Sequence, residues 1–332
     1  MATLGTAYLW GIGGGAINKE SVMDAIFNID PFETPLMNLA PKVPARHTTE
    51  EWIEDTLDAT ASATTTEGRD FSADNLAAPS RKTNITHILG KDIKVSETQV
   101  MLDPYGFDNA FMHEVEDGTK EIMRNAEISL FYASGNSASG ASATARRMKS
   151  LQDFISTNAW HCTDSATLAG GGSVLSAQSL EESTFNTALQ KVFEQGGNPS
   201  WIFIGPAGKR QFSTFDGQIV SGSTAITLNV NANERQITRA VNTYASDFGP
   251  LNVILDRWVP QATATSIVST ALNGHLFGLE IDKVQVAMLR PLRFVEMGRG
   301  GDNVRGQLTM EYTLRCITEA AHFRLWGVAS RI

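Results

Sequence analysis

Apolar residues recur at spacings of four and seven between positions 107 and 133, which is the pattern of one face of an α-helix. The members of this stripe are Phe111, Val115, Ile122, Ala126 and Leu130. The pattern predicts a single long helix, which would extend about 39 Å at 1.5 Å per residue. Gly118 lies inside the helix and would weaken it by about 1 kcal/mol relative to alanine.

Strict alternation of apolar and polar residues predicts a strand at 308–317. Leu308, Met310, Tyr312, Leu314 and Cys316 form its apolar face, and Thr309, Glu311, Thr313 and Arg315 form its polar face. Shorter patterns predict strands at 201–204, 225–230, 252–256 and 274–289, and helices before Gly196 and from 206 to 215. Helices and strands thus follow one another without a repeat, which indicates the α+β class.

The segment from Asp30 to Leu57 is punctuated by prolines and then becomes acidic. Its four prolines leave little room for a long helix or an interior strand. They are Pro31, Pro35, Pro41 and Pro44. Beyond them, Trp52 and Ile53 stand among four carboxylates, as in a polar strand. We therefore expect an extended arm that leads into a strand and lies on another copy of the same protein.

A long two-stranded excursion is predicted between residues 46 and 100. One leg covers 51–57 and the other covers 83–95, where apolar residues are flanked by polar ones. The tip at 59–80 is rich in Ala, Ser and Thr and almost lacks large apolar groups. Such a tip cannot bury a core of its own, so it is either mobile or ordered by a neighbour.

Composition and charge narrow the class of protein. The chain has 332 residues, 42% hydrophobic and 19% charged, which is typical of a globular protein. No apolar run approaches the roughly 20 residues of a membrane helix, and the N-terminus lacks a basic signal region, so we expect folding in a cytosol. The net charge of −9 argues against a free nucleic-acid-binding protein but is compatible with enclosing nucleic acid.

The chain offers little catalytic chemistry. Its most enzyme-like motif is G-x-G-x-x-A at Gly11–Ala16, with Asp30 near the acidic position of a dinucleotide site, and this leaves an NAD(P)-dependent oxidoreductase as an alternative. The six histidines and two cysteines show no metal spacing. We therefore predict no catalytic, cofactor-binding or metal site.

Several blocks of the sequence, in this order, resemble the major capsid proteins of tailed bacteriophages, which have the Hong Kong 97 type fold. The blocks are ETPLMNLAPKVPA, TTEEWIEDTL, VSETQV, NPSWIFIGPAGKRQF and NANERQITRAVNTYASDFGPLNVILDRWVP. The first two match a family in which a proline arm precedes a strand with a tryptophan flanked by acids. The last contains the hydrophobic strand that ends in Asp256-Arg257.

The resemblance implies a non-enzymatic virion subunit that self-assembles into hexamers and pentamers of an icosahedral head. The implied parts are an N-terminal arm at 1–45, an extended loop at 46–100, a peripheral domain at 101–195 and 276–332 that holds the long spine helix, and an α/β axial domain at 196–275. The shell would enclose double-stranded DNA without sequence-specific binding and without a membrane. Partners would be other copies, a portal, a decoration protein, and a separate scaffolding protein, since the arm begins close to Met1.

The sequence also indicates residues that could contact neighbouring subunits. They are Pro35, Trp52, Glu54, Arg69, Arg146 and Arg147. The two adjacent arginines form a small basic group in a polar loop, which could contact nucleic acid or an acidic patch of a neighbour. Besides the oxidoreductase, another virion protein of the tail or decoration type remains an alternative.

Overall fold

The structure, a computed structural model, describes residues 31–55, 67–68, 70, 78–102, 109–132, 137–162, 180–213, 215, 242–260 and 274–328. Strands in these ranges form three sheets, of four, six and two strands. The predicted α+β class is confirmed. The predicted strand at 225–230 and the G-x-G-x-x-A motif lie outside the described residues.

The helices and strands of the described ranges are numbered in chain order. The helices are α1 Pro35–Leu39, α2 Glu97–Met101, α3 Ala110–Phe131, α4 Leu151–Phe154, α5 Glu182–Glu194 and α6 Pro206–Phe212. The strands are β1 Lys42–Pro44, β2 Thr49–Glu54, β3 Ser80–Ile85, β4 His87–Ser96, β5 Ala159–His161, β6 Trp201–Ile204, β7 Thr243–Ser246, β8 Gly249–Leu255, β9 Gly274–Leu279, β10 Val284–Met297, β11 Asn303–Cys316 and β12 Phe323–Val328.

The proline-rich segment contains only short elements, as its composition requires. Pro35 begins the five-residue helix α1, where a missing N–H costs nothing because the first N–H groups of a helix lack intrahelical partners. Strand β1 lies at the edge of the four-stranded sheet and pairs in parallel with β10. The segment is nevertheless fixed to the body, since Leu36 and Met37 are completely buried.

The predicted two-stranded excursion is present, but its second leg is divided. Strands β2 and β3 pair antiparallel from Thr49 opposite Ile85 to Glu54 opposite Ser80, and we call this pair the ribbon. The prediction of one continuous strand at 83–95 is wrong, because the chain leaves the ribbon at Thr86 and continues as β4 beside β11. The Thr86 hydroxyl donates to the buried Glu311 carboxylate at 2.8 Å, which fixes the chain at this break.

The long helix is confirmed as α3, and its predicted apolar stripe is buried or half-buried along its length. Gly118 has a packing role. A Cβ atom at this position would lie 2.9 Å from Leu308 Cδ1 and 3.3 Å from Lys91 Cδ. The glycine therefore lets the helix backbone lie close to the neighbouring strands without displacing the Leu308 side chain.

Strand β11 is buried on both faces, which the alternation did not predict. The expected apolar face is confirmed, with Met310, Tyr312 and Leu314 fully buried. The expected polar face is buried as well, since Glu311 is 2% exposed and Thr313 is 0% exposed. This face is covered by the chain at the ribbon base and by the 137–150 loop, since Thr86 and Arg146 contact Glu311. The buried polar groups therefore have partners inside the protein.

The six-stranded sheet has the order β5-β12-β9-β6-β8-β7. It is mixed, with β6 parallel to β8 and antiparallel to β9. Helices α5 and α6 contribute Phe185, Leu189 and Phe212 to the core that also contains strand residues such as Ile202. Strands from both the predicted peripheral and the predicted axial domain belong to this sheet.

The chain divides into two compact units. The smaller unit contains Lys91–Thr119 and Phe294–Leu308, and within it Phe111 packs edge-on against Phe294 at 5.9 Å between ring centroids. The larger unit contains Phe32–Gly90, Lys120–Arg293 and Thr309–Ile332, and it holds the ribbon and the six-stranded sheet.

The glycine at position 278 of β9 provides a test of core packing. A Cβ atom there would lie 1.9 Å from the ring of Phe323, which is fully buried and cannot move away. We expect Gly278→Ala to lower the free energy of unfolding by about 3 kcal/mol. Chemical denaturation would measure the loss. The control is Gly298→Ala, whose new methyl group has no atom within 4 Å and should change stability little.

Candidate functional site: the anchors of the arm and the ribbon

The first anchor holds helix α1 through a carboxylate distant in sequence. Thr34, the residue before the helix, forms no side-chain capping bond. Instead Glu127 of α3 accepts the backbone N–H of Leu36 at 2.6 Å and that of Met37 at 2.8 Å. Free N–H groups at a helix start attract an acceptor, and Glu127 is completely buried when it meets them.

The same anchor includes the turn after β8, where the Asp256-Arg257 motif lies. The Asp256 carboxylate accepts the backbone N–H of Trp258 at 2.8 Å. The Trp258 indole then donates to the Glu33 carbonyl at 2.7 Å, and Arg124 of α3 lies over its ring at 5.8 Å. Arg257 forms an exposed ion pair with Glu33 at 3.8 Å. Two blocks quoted for the family resemblance therefore meet here, through Glu33 and Trp258, which are 225 residues apart.

Glu127 and Asp256 also contact each other, although both are acids. Each is buried, with 0% and 1% of its surface exposed, and each lies close enough to the other to affect its pKa. Burial, followed by the charge of Asp256, raises the pKa of Glu127 to about 8. Burial is also the main reason that the pKa of Asp256 is raised.

The second anchor holds the base of the ribbon, and Asn84 is its centre. The Asn84 amide nitrogen donates to the carbonyl of Leu314 at 2.6 Å and to that of Lys149 at 3.2 Å. Its oxygen accepts the backbone N–H of Lys149 and that of Ile85, both at 2.8 Å. One buried side chain thus joins β3, β11 and the 137–150 loop.

Beside Asn84, the buried carboxylate of Glu311 binds two arginines. Arg146 Nη2 lies 2.6 Å from Glu311 Oε1, and Arg290 Nε lies 2.9 Å from Oε2. Thr86 adds a third donor at 2.8 Å. Burial alone would raise the pKa of Glu311, but the hydrogen bonds from Thr86 and Arg290 and the charges of Arg146 and Arg290 outweigh it, so the pKa lies below its ordinary value.

Further contacts fix the inner face of the ribbon. Trp52 is 8% exposed and its ring lies 5.8 Å from that of Phe154. Its indole donates to Glu54, whose carboxylate also accepts the backbone N–H of Thr318 at 2.8 Å. Thr318 has φ of 53°, a strained conformation for a β-branched residue, directly after β11. Glu50 forms an ion pair with Arg315.

The outer face of the ribbon is, in contrast, exposed. Residues directly opposite each other on paired strands share a face, so Ile53 lies with Arg81, and Glu51 lies with Thr83. Ile53 is 71% exposed, which is unusual for a large aliphatic side chain in a strand. An ion pair of 3.2 Å between Glu51 and Arg81 crosses this face diagonally.

The structure distributes the predicted contact residues among different surroundings. Trp52 and Glu54 hydrogen bond to each other, whereas Arg146 is bound to Glu311. Pro35 is half-buried at the start of α1, and Arg147 is exposed. Arg69 lies outside the described residues. The prediction that these residues contact neighbouring subunits stays a prediction.

None of the four anchor residues Glu127, Asp256, Asn84 and Glu311 was predicted from the sequence. Two of them carried a signal, since Glu127 interrupts an apolar helix end and Glu311 stands between Met310 and Tyr312. In the described ranges, no three His, Cys, Asp or Glu side chains come together as metal ligands. Among those same residues, no helix is both long and apolar enough to cross a membrane.

Comparison with known proteins identifies a family that the sequence matches. A family model described as SU10 major capsid protein matches residues 6–329. No curated protein matched significantly.

Solved structures share the fold at low sequence identity. The capsid of an empty GTA particle has 15% identity and a TM-score of 0.62, with 98% of this chain and 100% of that chain covered. A chain of Mycobacterium phage Adephagia has 13% identity and a TM-score of 0.60, with 98% of each chain covered. The holo-SrpI encapsulin of Synechococcus elongatus PCC 7942 has 10% identity and a TM-score of 0.56, covering 99% and 97%. These values confirm the predicted capsid-type fold.

The Glu311 cluster predicts a pH-dependent loss of stability. Glu311→Gln would leave Arg146 and Arg290 beside a neutral partner, so we expect the free energy of unfolding to fall by about 3 kcal/mol at pH 7. Because the pKa of Glu311 is lowered on folding, its ionised form contributes fully above pH 4.5, the ordinary pKa of a glutamate. The difference between the two proteins should therefore shrink as the pH falls below 4.5.

The matched control is Glu51→Gln, which removes the exposed ion pair with Arg81. Both side chains of that pair are well exposed, so the change should cost less than about 1 kcal/mol. Urea denaturation at a series of pH values would measure both variants. Equal effects of the two substitutions would show that the buried cluster contributes no more than a surface pair.

Proposed function

Because the chain belongs to the SU10 major capsid protein family, we propose that its arm and ribbon are the segments through which copies hold one another in a phage head. Members of this family are structural subunits, so the protein is a component of the virion and forms a shell with further copies of itself. It is not an enzyme, and the oxidoreductase alternative has no support from the family.

The observation that carries the proposal is the contrast between the two faces of the ribbon. The inner face is fixed to the body by Asn84, Trp52 and Glu54, and the outer face leaves Ile53 exposed. Holding a ribbon in place at its base is useful if the outer face meets a partner in a defined orientation. In a homo-oligomeric shell that partner is another copy of the same chain.

We further propose that these contacts assemble hexamers and pentamers that close an icosahedral shell around double-stranded DNA. Each contact needs only modest affinity, because many copies engage several neighbours at once. The net charge of −9 favours enclosure of DNA without sequence-specific binding. A separate scaffolding protein, a portal and a decoration protein are the expected additional partners.

The division into an arm at 1–45, a loop at 46–100, a peripheral domain at 101–195 and 276–332, and an axial domain at 196–275 is retained as part of this proposal. Among the contact candidates, Arg147 has the exposure that a neighbouring subunit would need. We assign Trp52, Glu54 and Arg146 a supporting role, since their present contacts hold the ribbon base. Arg69 and Pro35 stay candidates.

Truncation of the N-terminus tests the role of the arm. Removing residues 1–45 would delete the buried Leu36 and Met37, so the informative deletion is 1–30. We expect the shortened protein to unfold within a few degrees of the full chain but to form no shells. Thermal denaturation and negative-stain electron microscopy would measure these two properties. If the shortened protein formed shells at normal yield, the first 30 residues would not take part in the assembly contacts.

Substitution of Ile53 tests the outer face of the ribbon. Ile53→Lys places a charge at the centre of the exposed face, where it would oppose burial against a neighbour. We expect assembly to fall at least tenfold while the melting temperature stays nearly unchanged. The control is Ile53→Thr, which keeps a β-branched side chain and should retain most assembly. If the lysine variant assembles like the parent, the ribbon face is not an interface.

A further inference from the structure

We propose that Glu127 and Asp256 form a latch, closed by one shared proton, that holds the turn at residues 256–258 against the arm segment at residues 31–45. The proposal concerns a joint within one subunit and does not depend on the proposed function. It rests on the juxtaposition of two buried acids at the place where helix α3, helix α1 and the turn after β8 meet.

The hydrogen bonds around the pair explain why a proton is needed. Glu127 uses its two oxygens to accept N–H groups of the arm segment, and Asp256 uses Oδ1 to accept the N–H of Trp258. Asp256 Oδ2 is buried and accepts no N–H or hydroxyl group of the described chain, so a proton carried by Glu127 is the donor that the latch supplies to it. Two carboxylates cannot hydrogen bond to each other unless one carries a proton, so contact between them requires one.

The charged groups around the pair do not replace that proton. Within the described residues, neither carboxyl has a lysine or arginine as an ion-pair partner. Arg124 lies over the Trp258 ring and Arg257 pairs with Glu33 at the surface. Glu33 adds a negative charge that disfavours ionisation of Asp256. The Tyr312 hydroxyl donates to the carbonyl of Ala126, and its pKa is raised by burial and, to a smaller extent, by Glu127.

The direction of the pH effect follows from linkage. The closed latch raises the pKa of Glu127 to about 8, whereas an open latch returns it towards 4.5. The closed form therefore binds an extra proton between these values, and its stability is complete below pH 4.5 and declines as the pH rises to about 8. In the fully ionised pair, repulsion separates Asp256 from Glu127 and removes the support that Trp258 gives to Glu33.

Hydrogen exchange on the full-length protein tests the latch. We expect protection factors of peptides covering 31–41 and 251–260 to fall at least tenfold between pH 5 and pH 8, after correction for intrinsic exchange. The comparison is Asp256→Asn, whose amide can accept from Trp258 through its oxygen and donate to Glu127 through its nitrogen. This variant needs no proton, so its protection should change less than twofold over the same range.

Three results would overturn the latch: constant protection in the parent, an equal decline in Asp256→Asn, or a parallel decline in the core peptide 201–212. If Asp256→Asn does not fold, Glu127→Gln serves in its place. Its amide nitrogen cannot accept the second N–H of the arm, so its protection should be lower at every pH, but a neutral amide likewise abolishes the repulsion. In that variant the pH dependence should also disappear, and its persistence would equally overturn the latch. Assembly is measured separately, so a failed latch leaves the proposed function intact.

Discussion

Burial of both faces of β11 is the constraint on which the ribbon depends. Asn84 bonds to the carbonyl of Leu314, Thr86 bonds to Glu311, and Thr313 donates to the carbonyl of Ile85 at 3.0 Å. The ribbon residues Glu50 and Glu54 bind to Arg315 and to the N–H of Thr318. Each of these polar contacts ends on β11 or directly after it. An interior strand with a polar second face therefore supplies a rigid base for a ribbon that has little core of its own.

Much of the fold could be predicted because the apolar residues of its helices and strands recur at regular spacings. The stripe of α3 and the alternation of β11 identified a long helix and a strand, and the prolines of the arm excluded long elements there. The anchors could not be predicted, because Glu127 and Leu36 are 91 residues apart and Asn84 and Leu314 are 230 apart. No spacing rule relates such pairs. The exposure of Glu311 was misjudged for the same reason, since alternation does not reveal whether a polar face is covered.

The two anchors satisfy buried carboxylates by opposite means. Glu311 is balanced by two cations and is favoured when ionised, whereas Glu127 and Asp256 have each other and are favoured with a proton. Acid therefore weakens the ribbon base and alkali weakens the arm joint. His275 and His322 reinforce the acid limit, because burial lowers their pKa values to about 3 and about 4. Because of these groups, both anchors of the subunit are intact only at intermediate pH.

The close packing at Gly118 has a consequence for how the sequence can vary. Because a methyl group there would meet Leu308 at 2.9 Å, positions 118 and 308 share one fixed volume inside the smaller unit. A larger residue at position 118 requires the Leu308 side chain to move or to be replaced by a smaller one, so the cost of the change depends on the residue at position 308. Substitutions at the two positions are therefore expected to be correlated, although 190 residues separate them in the chain.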